Sequence, residues 1–296
     1  MKKFLLSICL AIFFGVTASA QTDQDAFDKK HRFGIRVTPQ PTWFKSDNSS
    51  SKGNGAYFGF GFGLVWEIKL SNIIHFSTGI GGDFEGGSIS YRYEPNVFEV
   101  QEVIDSEGIL VEAKDGATPD QYYFKNGNSS YILKNRKYKT TMITIPLLLK
   151  MMTNEYSGFR YFANFGGELG IRAAAKANDT FYAGFKAAST ATGVEVMQIA
   201  EGDLKRDDIN LGKDATILPF RVGMNLGLGT EYRIAGSTSL VFSVNYFQSF
   251  TSLMRKESKF LTKERTIDPA TGKFNFEPLN QSYLMRAVRI NIAIMF

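Results

Sequence analysis

The side chains that could do chemistry in this chain are charged residues that alternate with apolar residues along several segments. Successive side chains of a β-strand point to opposite faces, so each segment predicts a strand with one apolar and one charged face. On the inside of a closed sheet, such charges form either an ion path or binding pocket, or a plug of paired side chains. Buried charges have to be paired and both signs occur in similar number, so we predict the plug. Eleven residues make up this predicted charge network: Arg36, Glu67, Asp83, Glu85, Lys150, Arg160, Glu168, Arg172, Arg221, Glu231 and Arg289.

A hydrolytic site is the second chemical possibility. His75 and Ser77 share one face of a predicted strand, and Asp83 lies further along it. A nucleophile and its base need hydrogen-bond contact, and Asp83 lies too far along an extended strand from Ser77 to complete a triad. We therefore predict no catalytic residues and a protein that is not an enzyme, with a lipid-modifying barrel enzyme as an alternative.

The sequence gives little support for a metal, cofactor or nucleic-acid site. The chain has two histidines, His31 and His75, and no acidic loop of calcium-binding pattern. The alternating glycines at 59–63 lack the strand-to-helix context and the following lysine of a phosphate loop. Without Lys2 and Lys3 the formal net charge of +5 falls to +3, and no basic stripe suits nucleic acid. We predict no metal, no cofactor and no nucleic-acid partner.

The N-terminus has the pattern of an export signal. A basic start at Lys2 and Lys3 precedes an apolar stretch over 4–16, and small residues at 18–20 precede Gln21. This pattern predicts a signal peptide over 1–20 that is cleaved between Ala20 and Gln21. The only cysteine, Cys9, lies in the predicted signal, so no disulfide is expected in the remaining domain, 21–296.

Eight alternating segments would hold the charged residues in place. Each approaches or exceeds the ~9–11 residues that a tilted strand needs to cross a bilayer. They are predicted at 32–44, 57–68, 73–93, 138–152, 159–173, 217–233 and 239–250, with an eighth that ends at Phe296. The connections after the second, fourth and sixth segments are short, whereas those after the third, fifth and seventh are long and polar, covering 95–137, 176–216 and 251–283.

This alternation predicts an all-β fold: an eight-stranded antiparallel up-and-down transmembrane β-barrel with short periplasmic turns and long extracellular loops. The predicted location is the cell outer membrane, reached after signal-peptide export. Eight strands enclose an interior just wide enough for side chains, which argues against an open porin. Within the first long connection, apolar segments at 97–104 and 109–113 flank a turn that contains Gly108, which predicts a hairpin.

The C-terminus carries the pattern of an assembly signal. Ile290, Ile292, Ile294 and Phe296 share one face of the last strand, opposite Arg289. An apolar strand that ends on an aromatic residue looks like the signal that outer-membrane barrels present to their insertion machinery. We therefore predict Ile292, Ile294 and Phe296 as the assembly signal. The expected partners are outer-membrane lipid and the barrel-assembly machinery.

The fourth predicted strand carries a family motif, Ile145, Pro146, Leu147, Leu148, Leu149 and Lys150. With the aromatic terminus, this strand resembles the PorT-like family of outer-membrane β-barrels, and the likeness covers 33–296. The resemblance implies the barrel fold and, through the founding member of the family, a link to protein secretion. Independently, Pro146 removes one ladder donor, which predicts a bulge or a strand rim at this point.

Four functions fit these patterns. The first is a non-enzymatic structural or accessory barrel whose loops at 95–137, 176–216 and 251–283 bind another surface or secretion protein, since loops this long are usually functional or disordered. The second is a secretion-system component, as the resemblance implies. The third is a transporter of a small molecule with a lateral opening, and the fourth is the lipid-modifying enzyme.

Overall fold

The computed structural model describes residues 29–46, 51–94, 99–118, 127–190, 193–211 and 217–296. The predicted signal peptide and its cleavage site at Ala20 and Gln21 lie outside these residues. Within the described part, no helix is long and apolar enough to cross a membrane. The strands, in chain order, are β1 (His31–Ser46), β2 (Ser51–Gly53), β3 (Tyr57–Lys69), β4 (Ile74–Tyr91), β5 (Gln101–Ile104), β6 (Ser129–Met152), β7 (Phe159–Thr190), β8 (Gly193–Gln198), β9 (Lys205–Asn210), β10 (Phe220–Ala235), β11 (Thr238–Ser249), β12 (Glu257–Ile267), β13 (Phe274–Asn280) and β14 (Tyr283–Met295).

Eight of these strands close into a ring. The order around the ring is β6, β4, β3, β1, β14, β11, β10 and β7, and β7 pairs again with β6. Every neighbouring pair in the ring is antiparallel. The predicted eight-stranded antiparallel barrel is therefore confirmed.

The connections divide between the two ends of the ring. Short turns at 70–73, 153–158 and 236–237 lie at one end, which we call the turn end. The first ring strand begins and the last one ends there, since Gly34 pairs with Met295. The opposite end, called the loop end, carries all the longer connections. The predicted alternation of short and long connections is confirmed.

The long connections are not simple loops, and the predicted boundaries of two strands are wrong. The fourth ring strand, β6, begins at Ser129 instead of 138, and the fifth, β7, continues to Thr190 instead of ending at 173. The other strands of the loop end add to them: β5 pairs with β6, β8 and β9 pair with β7, and β12 joins β5 to β13. We call the sheet that these five strands form with the loop-end parts of β6 and β7 the extension. Its outward side chains are largely polar, so the alternation that marks a lipid-facing strand is missing from the sequence.

The predicted hairpin in the first long connection is confirmed. The Asp105 N–H donates to the Ile109 carbonyl at 2.9 Å, and the Val111 N–H donates to the Val103 carbonyl at 2.9 Å. Gly108 closes the turn with a φ of +85°, a backbone conformation that glycine adopts without steric cost.

The outward faces of the ring strands form a continuous apolar band. A barrel exposes such a band to the hydrocarbon of a bilayer, while the alternate residues face the lumen. Trp66 stacks on Phe33 across two neighbouring strands, with ring centroids 6.0 Å apart. Exposed members of the band include Phe33, Ile35, Val37, Phe60, Phe62, Leu64, Trp66, Ile80, Phe84, Ile143, Leu147, Phe165, Leu169, Ile171, Val222, Leu226, Leu228, Leu240, Phe242, Val244, Ile292 and Ile294.

Pro146 lies within the wall of the barrel, and the prediction of a bulge or rim there is wrong. The ladder between β4 and β6 stops at Thr78–Leu147 and resumes at Gly81–Thr144, so the register is unchanged and no residue is inserted. The even-numbered N–H groups of β6 face β4, as the bond from Met152 N–H to Ile73 O shows. Pro146 has no N–H, and the wall tolerates a gap in the ladder at this point.

A second gap lies at the seam between the first and last strands. The β1–β14 ladder stops at Val37–Ile292 and resumes at Thr42–Ala287. Odd-numbered backbone groups of β1 face β14, since the Phe296 N–H donates to the Phe33 carbonyl. Pro39 and Pro41 therefore remove two donors from the seam.

Candidate functional site

All eleven residues of the predicted charge network lie on ring strands and alternate with the apolar band. Eight of them are buried: Glu67, Asp83, Glu85, Lys150, Glu168, Arg221, Glu231 and Arg289. Arg36, Arg160 and Arg172 are partly exposed. The structure brings most of the set together in two clusters at different heights of the lumen.

The first cluster lies near the turn end and alternates its charges. The Lys150 Nζ lies 2.7 Å from Glu67 Oε1 and 3.0 Å from Glu231 Oε2. Arg32 joins the same two carboxylates, at 2.5 Å from Glu231 Oε1 and 3.6 Å from Glu67 Oε2. The Ser239 hydroxyl donates to Glu231 Oε1 at 2.6 Å. Two cations and two carboxylates thus neutralise one another across the lumen.

Arg32 is a member that the predicted network missed. It occupies the same face of β1 as Arg36 and is only 1 % exposed. The period of the strand was sufficient to find it, because Arg32 lies four residues from Arg36 and shares its face.

The second cluster lies nearer the loop end. Arg289 reaches Glu168 with both terminal nitrogens, and Nη2 donates to Oε1 at 3.0 Å. Arg221 lies 3.2 Å from Glu168 Oε1 and also pairs with Glu85. Asp83 lies 4.0 Å from Arg289 Nη2 and accepts a bond from the Thr144 hydroxyl at 2.7 Å. Two arginines therefore face three carboxylates.

Arg36 supplies a third positive charge on this side of the lumen. It interacts electrostatically with Glu168. With Arg36 included, three arginines balance Asp83, Glu85 and Glu168. The network is thus close to neutral, as a set of buried charges requires.

A layer of amide side chains separates the two clusters. The Asn245 amide donates to Asn164 Oδ1 at 2.7 Å and to Asn225 Oδ1 at 2.8 Å. Asn291 donates to Asn245 Oδ1 at 3.0 Å. A cavity of about 70 Å³ lies beside this layer and is lined by Arg36, Glu67, Lys150 and the four asparagines, among others. This volume suits a few water molecules.

A hydrophobic core closes the lumen at the loop end. Phe247 belongs to this core and contacts the second cluster, with the guanidinium carbons of Arg221 and Arg289 at 4.6 and 4.3 Å from its ring centroid. Phe44 and Tyr138 pack edge to face, with centroids 5.8 Å apart. The core continues into the extension and includes Ile89, Tyr91, Val100, Leu133, Phe181, Leu211, Ile217, Leu253, Met254, Leu261, Leu279, Tyr283 and Met285.

An ion cluster within the extension was not predicted. Arg136 donates to Asp179 through Nε at 2.7 Å and through Nη2 at 2.5 Å, and Nη2 also lies 2.5 Å from Glu102 Oε2. All three side chains are buried. Burial raises the pKa of Glu102 to about 7; the Arg136 charge opposes this rise, and Asp179 adds to it. Arg136 lies in a range that we predicted as a loop, so no strand period indicated that it was buried.

The hydrolytic set predicted as an alternative is not assembled. His75 is buried, with Nδ1 4.0 Å from Glu67 Oε2 and with neither ring nitrogen hydrogen-bonded. Asp83 belongs to the other cluster, beside Thr144. No group of three or more potential metal-ligating side chains occurs in the described part of the chain. Whether the protein is an enzyme stays a prediction.

The motif and terminal residues occupy the barrel wall. Ile145, Leu147 and Leu149 face outward. They alternate with Pro146, Leu148 and Lys150, which face the lumen and line the cavity. Ile292, Ile294 and Phe296 face outward at the turn end, and the Phe296 N–H donates to the Phe33 carbonyl at 2.7 Å. Their role as an assembly signal stays a prediction.

The chain is similar to several solved bacterial outer-membrane structures. The outer membrane protein OprG from Pseudomonas aeruginosa is 10 % identical, with 90 % of this chain and 97 % of that chain covered and a TM-score of 0.37. Neisserial surface protein A is 8 % identical, with coverages of 89 % and 97 % and a TM-score of 0.34. Ail of Yersinia pestis is 11 % identical, with coverages of 90 % and 100 % and a TM-score of 0.29.

The family of the chain is assigned from its sequence. No curated protein matches the chain. A family model described as outer membrane protein beta-barrel domain matches residues 19–255, about four fifths of the chain. The match concerns the broad family, so the PorT-like assignment stays a prediction. The chain belongs to the outer membrane protein beta-barrel domain family.

Proposed function

We propose that the protein is a non-enzymatic outer-membrane barrel with a sealed lumen, whose extension binds a partner protein outside the cell. In this arrangement the short turns face the periplasm and the loop end faces outward. The observation that carries the proposal is the extension: a folded sheet, whose hydrophobic core is continuous with the core that closes the lumen, stands where long polar loops were predicted.

The lumen supports a structural role over a transport role. Within each charged cluster, oppositely charged side chains from different strands pair across the lumen, and the hydrophobic core lies above both clusters. A diffusion channel keeps its interior open to water and uses many more strands. The charges of this lumen connect strands across the barrel, and the cavity of about 70 Å³ lies beside them.

The extension supports partner binding because it is large and is held by strand pairing and a buried ion cluster. β6 has 24 residues and β7 has 32, whereas a tilted strand crosses a bilayer in about 9–11. More than half of β7 thus lies beyond the apolar band. Arg136 joins Glu102 of β5 to Asp179 of β7 through the centre of this sheet. Such a frame can present side chains without an ordering cost at each encounter.

An aromatic patch on the extension is the candidate contact surface. The rings of Tyr93 and Tyr182 stack with centroids 4.6 Å apart, and the Lys134 ammonium lies 5.3 Å from the Tyr182 ring centroid. Phe185 and Met197 are exposed on the same β7–β8 region. Tyrosine and methionine are enriched at protein interfaces. A role in protein secretion, which the PorT-like resemblance implies, would use this same surface.

Site-specific photo-crosslinking in intact cells tests the proposal. A photoreactive residue at Tyr182 should give a discrete protein adduct, whereas one at the exposed Tyr156 of the turn end should not give the same adduct. Replacing Tyr93 and Phe185 by serine should weaken the adduct at position 182. An adduct that is absent at position 182, or that persists in that variant, would contradict partner binding through this patch.

A further inference from the structure

We propose that Lys137, Lys139 and Lys176 form a binding site for the phosphate groups of a lipid in the leaflet at the loop end. We call these three residues the lysine site. The inference rests on the proposed membrane barrel and names a chemical partner for its outer wall. It concerns a different surface from the aromatic patch.

The register of the sheet brings the three lysines together. Lys139 of β6 lies directly opposite Lys176 of β7, and Lys137 lies two residues along β6 on the same face. Directly opposite residues have their Cβ atoms about 5 Å apart, and like charges in such a pair are destabilising. An anion placed between the two ammonium groups converts this repulsion into attraction.

The charges of the site are only partly balanced within the protein. Asp208 lies 3.8 Å from the Lys139 ammonium and 3.7 Å from that of Lys176, and its carboxylate is 61 % exposed. Among the described residues, no carboxylate lies within ion-pair distance of Lys137, whose ammonium lies 5.4 Å from the Tyr57 ring centroid. One carboxylate within ion-pair distance thus offsets three lysines. The next acidic side chain, Asp207, accepts a hydrogen bond from the Asn178 amide opposite Lys137, so the site keeps a surplus of at least one positive charge.

The position of the site along the barrel axis favours a lipid as the bound molecule. Toward the loop end, the outward side chains of β6 change from Ile143 through Thr141 to Lys139. On β7, Lys176 likewise follows Ile171, and the next large exposed apolar side chain along that strand is Tyr182, six residues further on. The lysines therefore lie where the apolar band ends, which is the level of lipid headgroups. A lysine at this level keeps its stem on apolar surface and its charge in the headgroup region.

The chemistry of the site suits phosphate in particular. Lysine ammonium groups bind phosphate as point charges, each with three donors on a flexible stem. A lipid that carries two phosphate groups would neutralise the surplus charge while its acyl chains lie along the band below Lys139. A bisphosphorylated glycolipid is such a molecule, and a zwitterionic phospholipid is not.

Native mass spectrometry of the full-length protein in neutral detergent tests the site. The probe is a bisphosphorylated glycolipid, compared with the same glycolipid after removal of both phosphates. The test variant is Lys137→Gln with Lys139→Gln and Lys176→Gln. The control variant is Lys205→Gln with Lys256→Gln and Lys273→Gln, which removes the same charge from exposed positions of the extension.

The test variant should bind the bisphosphorylated glycolipid about 100-fold more weakly than the wild type, since each basic residue near an anionic surface contributes roughly fivefold. The control variant should bind within about twofold of the wild type, and the dephosphorylated glycolipid should bind the wild type weakly. Unchanged binding by the test variant, or equal binding of the dephosphorylated lipid, would overturn the site. Competition by inorganic phosphate at equal concentration would assign it to soluble phosphate and overturn the lipid.

A second readout separates this inference from the proposed function. All three proteins should float with vesicles of neutral phospholipid and show a heat-dependent shift in gel mobility. Failure of the wild type to insert would contradict the membrane barrel itself. Normal insertion of all three proteins with equal lipid binding would contradict the lysine site alone.

Discussion

Arg289 of β14 crosses the lumen to form a two-pronged ion pair with Glu168 of β7, a strand three positions away around the ring. Both side chains are 1 % exposed or less. The pair therefore connects two parts of the wall that share no backbone hydrogen bonds. It also occupies the space through which a solute would have to pass.

The first prediction concerns this pair. Glu168→Gln should lower the free energy of unfolding by about 3–5 kcal/mol, because Arg289 and Arg221 lose their shared carboxylate in a buried site. The temperature at which the barrel loses its folded gel mobility measures the change. Glu155→Gln breaks the partly exposed pair with Arg233 and should cost less than about 1 kcal/mol. Equal effects of the two substitutions would contradict a buried network.

The second prediction concerns the seam between β1 and β14. Pro39→Val and Pro41→Val should each stabilise the barrel by about 1 kcal/mol, because each restores an N–H donor opposite β14. Pro278→Val on β13, outside the ring, is the control and should leave the gel-shift temperature unchanged. Loss of stability in both seam variants would show that the backbone requires proline there.

The third prediction concerns pH and Glu102. Its pKa is raised to about 7 in the folded protein from a usual value of 4.5, so the folded state retains a proton that the unfolded chain has released between these values. The contribution of Glu102 to the free energy of unfolding is present in full below pH 4.5 and is lost as the pH rises through 7. Hydrogen exchange at 101–104 should therefore be faster at pH 8 than at pH 5, after correction for intrinsic rates.

Two variants check the source of this dependence. Glu102→Gln should remove it, because the amide remains neutral at both pH values. Glu112→Gln, at an exposed pair with Lys259 in the same extension, should leave it in place. A pH dependence that survives in Glu102→Gln would assign it to another group.

Sequence periodicity was sufficient to predict the ring but not the extension. Ile292 and Ile294 alternate with Arg289 and Asn291 because a lipid face and a lumen face alternate along one strand. β6 beyond Lys139 has no lipid face, so that signal ends while the strand continues. Strand pairing in the extension depends on contacts distant in sequence, such as Glu102 with Arg136, which a single strand pattern does not contain.

The site shows the same division between local and distant information. The inward position of Glu168 followed from its strand period. Its partners did not, because Arg289 and Arg221 reach it through ring closure and side-chain length. The gap in the ladder at Pro146 also depends on the neighbouring strand, where Gly81 resumes the pairing.

The fourth prediction concerns Phe296. Its side chain is 49 % exposed on the lipid face, so its loss removes little internal packing. We nevertheless expect replacement by aspartate to lower the amount of assembled protein in the membrane severalfold, because the assembly machinery would no longer recognise the terminal aromatic residue. Phe296→Tyr is the conservative control and should assemble normally. Wild-type membrane levels of the aspartate variant would contradict the assembly signal.

Planar-bilayer recording of the wild-type protein tests the central claim most directly. The paired clusters around Glu231 and Glu168 fill the lumen with bonded side chains, and a hydrophobic core lies above them. We predict a baseline without large, long-lived conductance steps, and Glu168→Gln should add no lasting conductance. Large, stable open channels in the wild type would mean that the lumen holds water, and would contradict the sealed barrel.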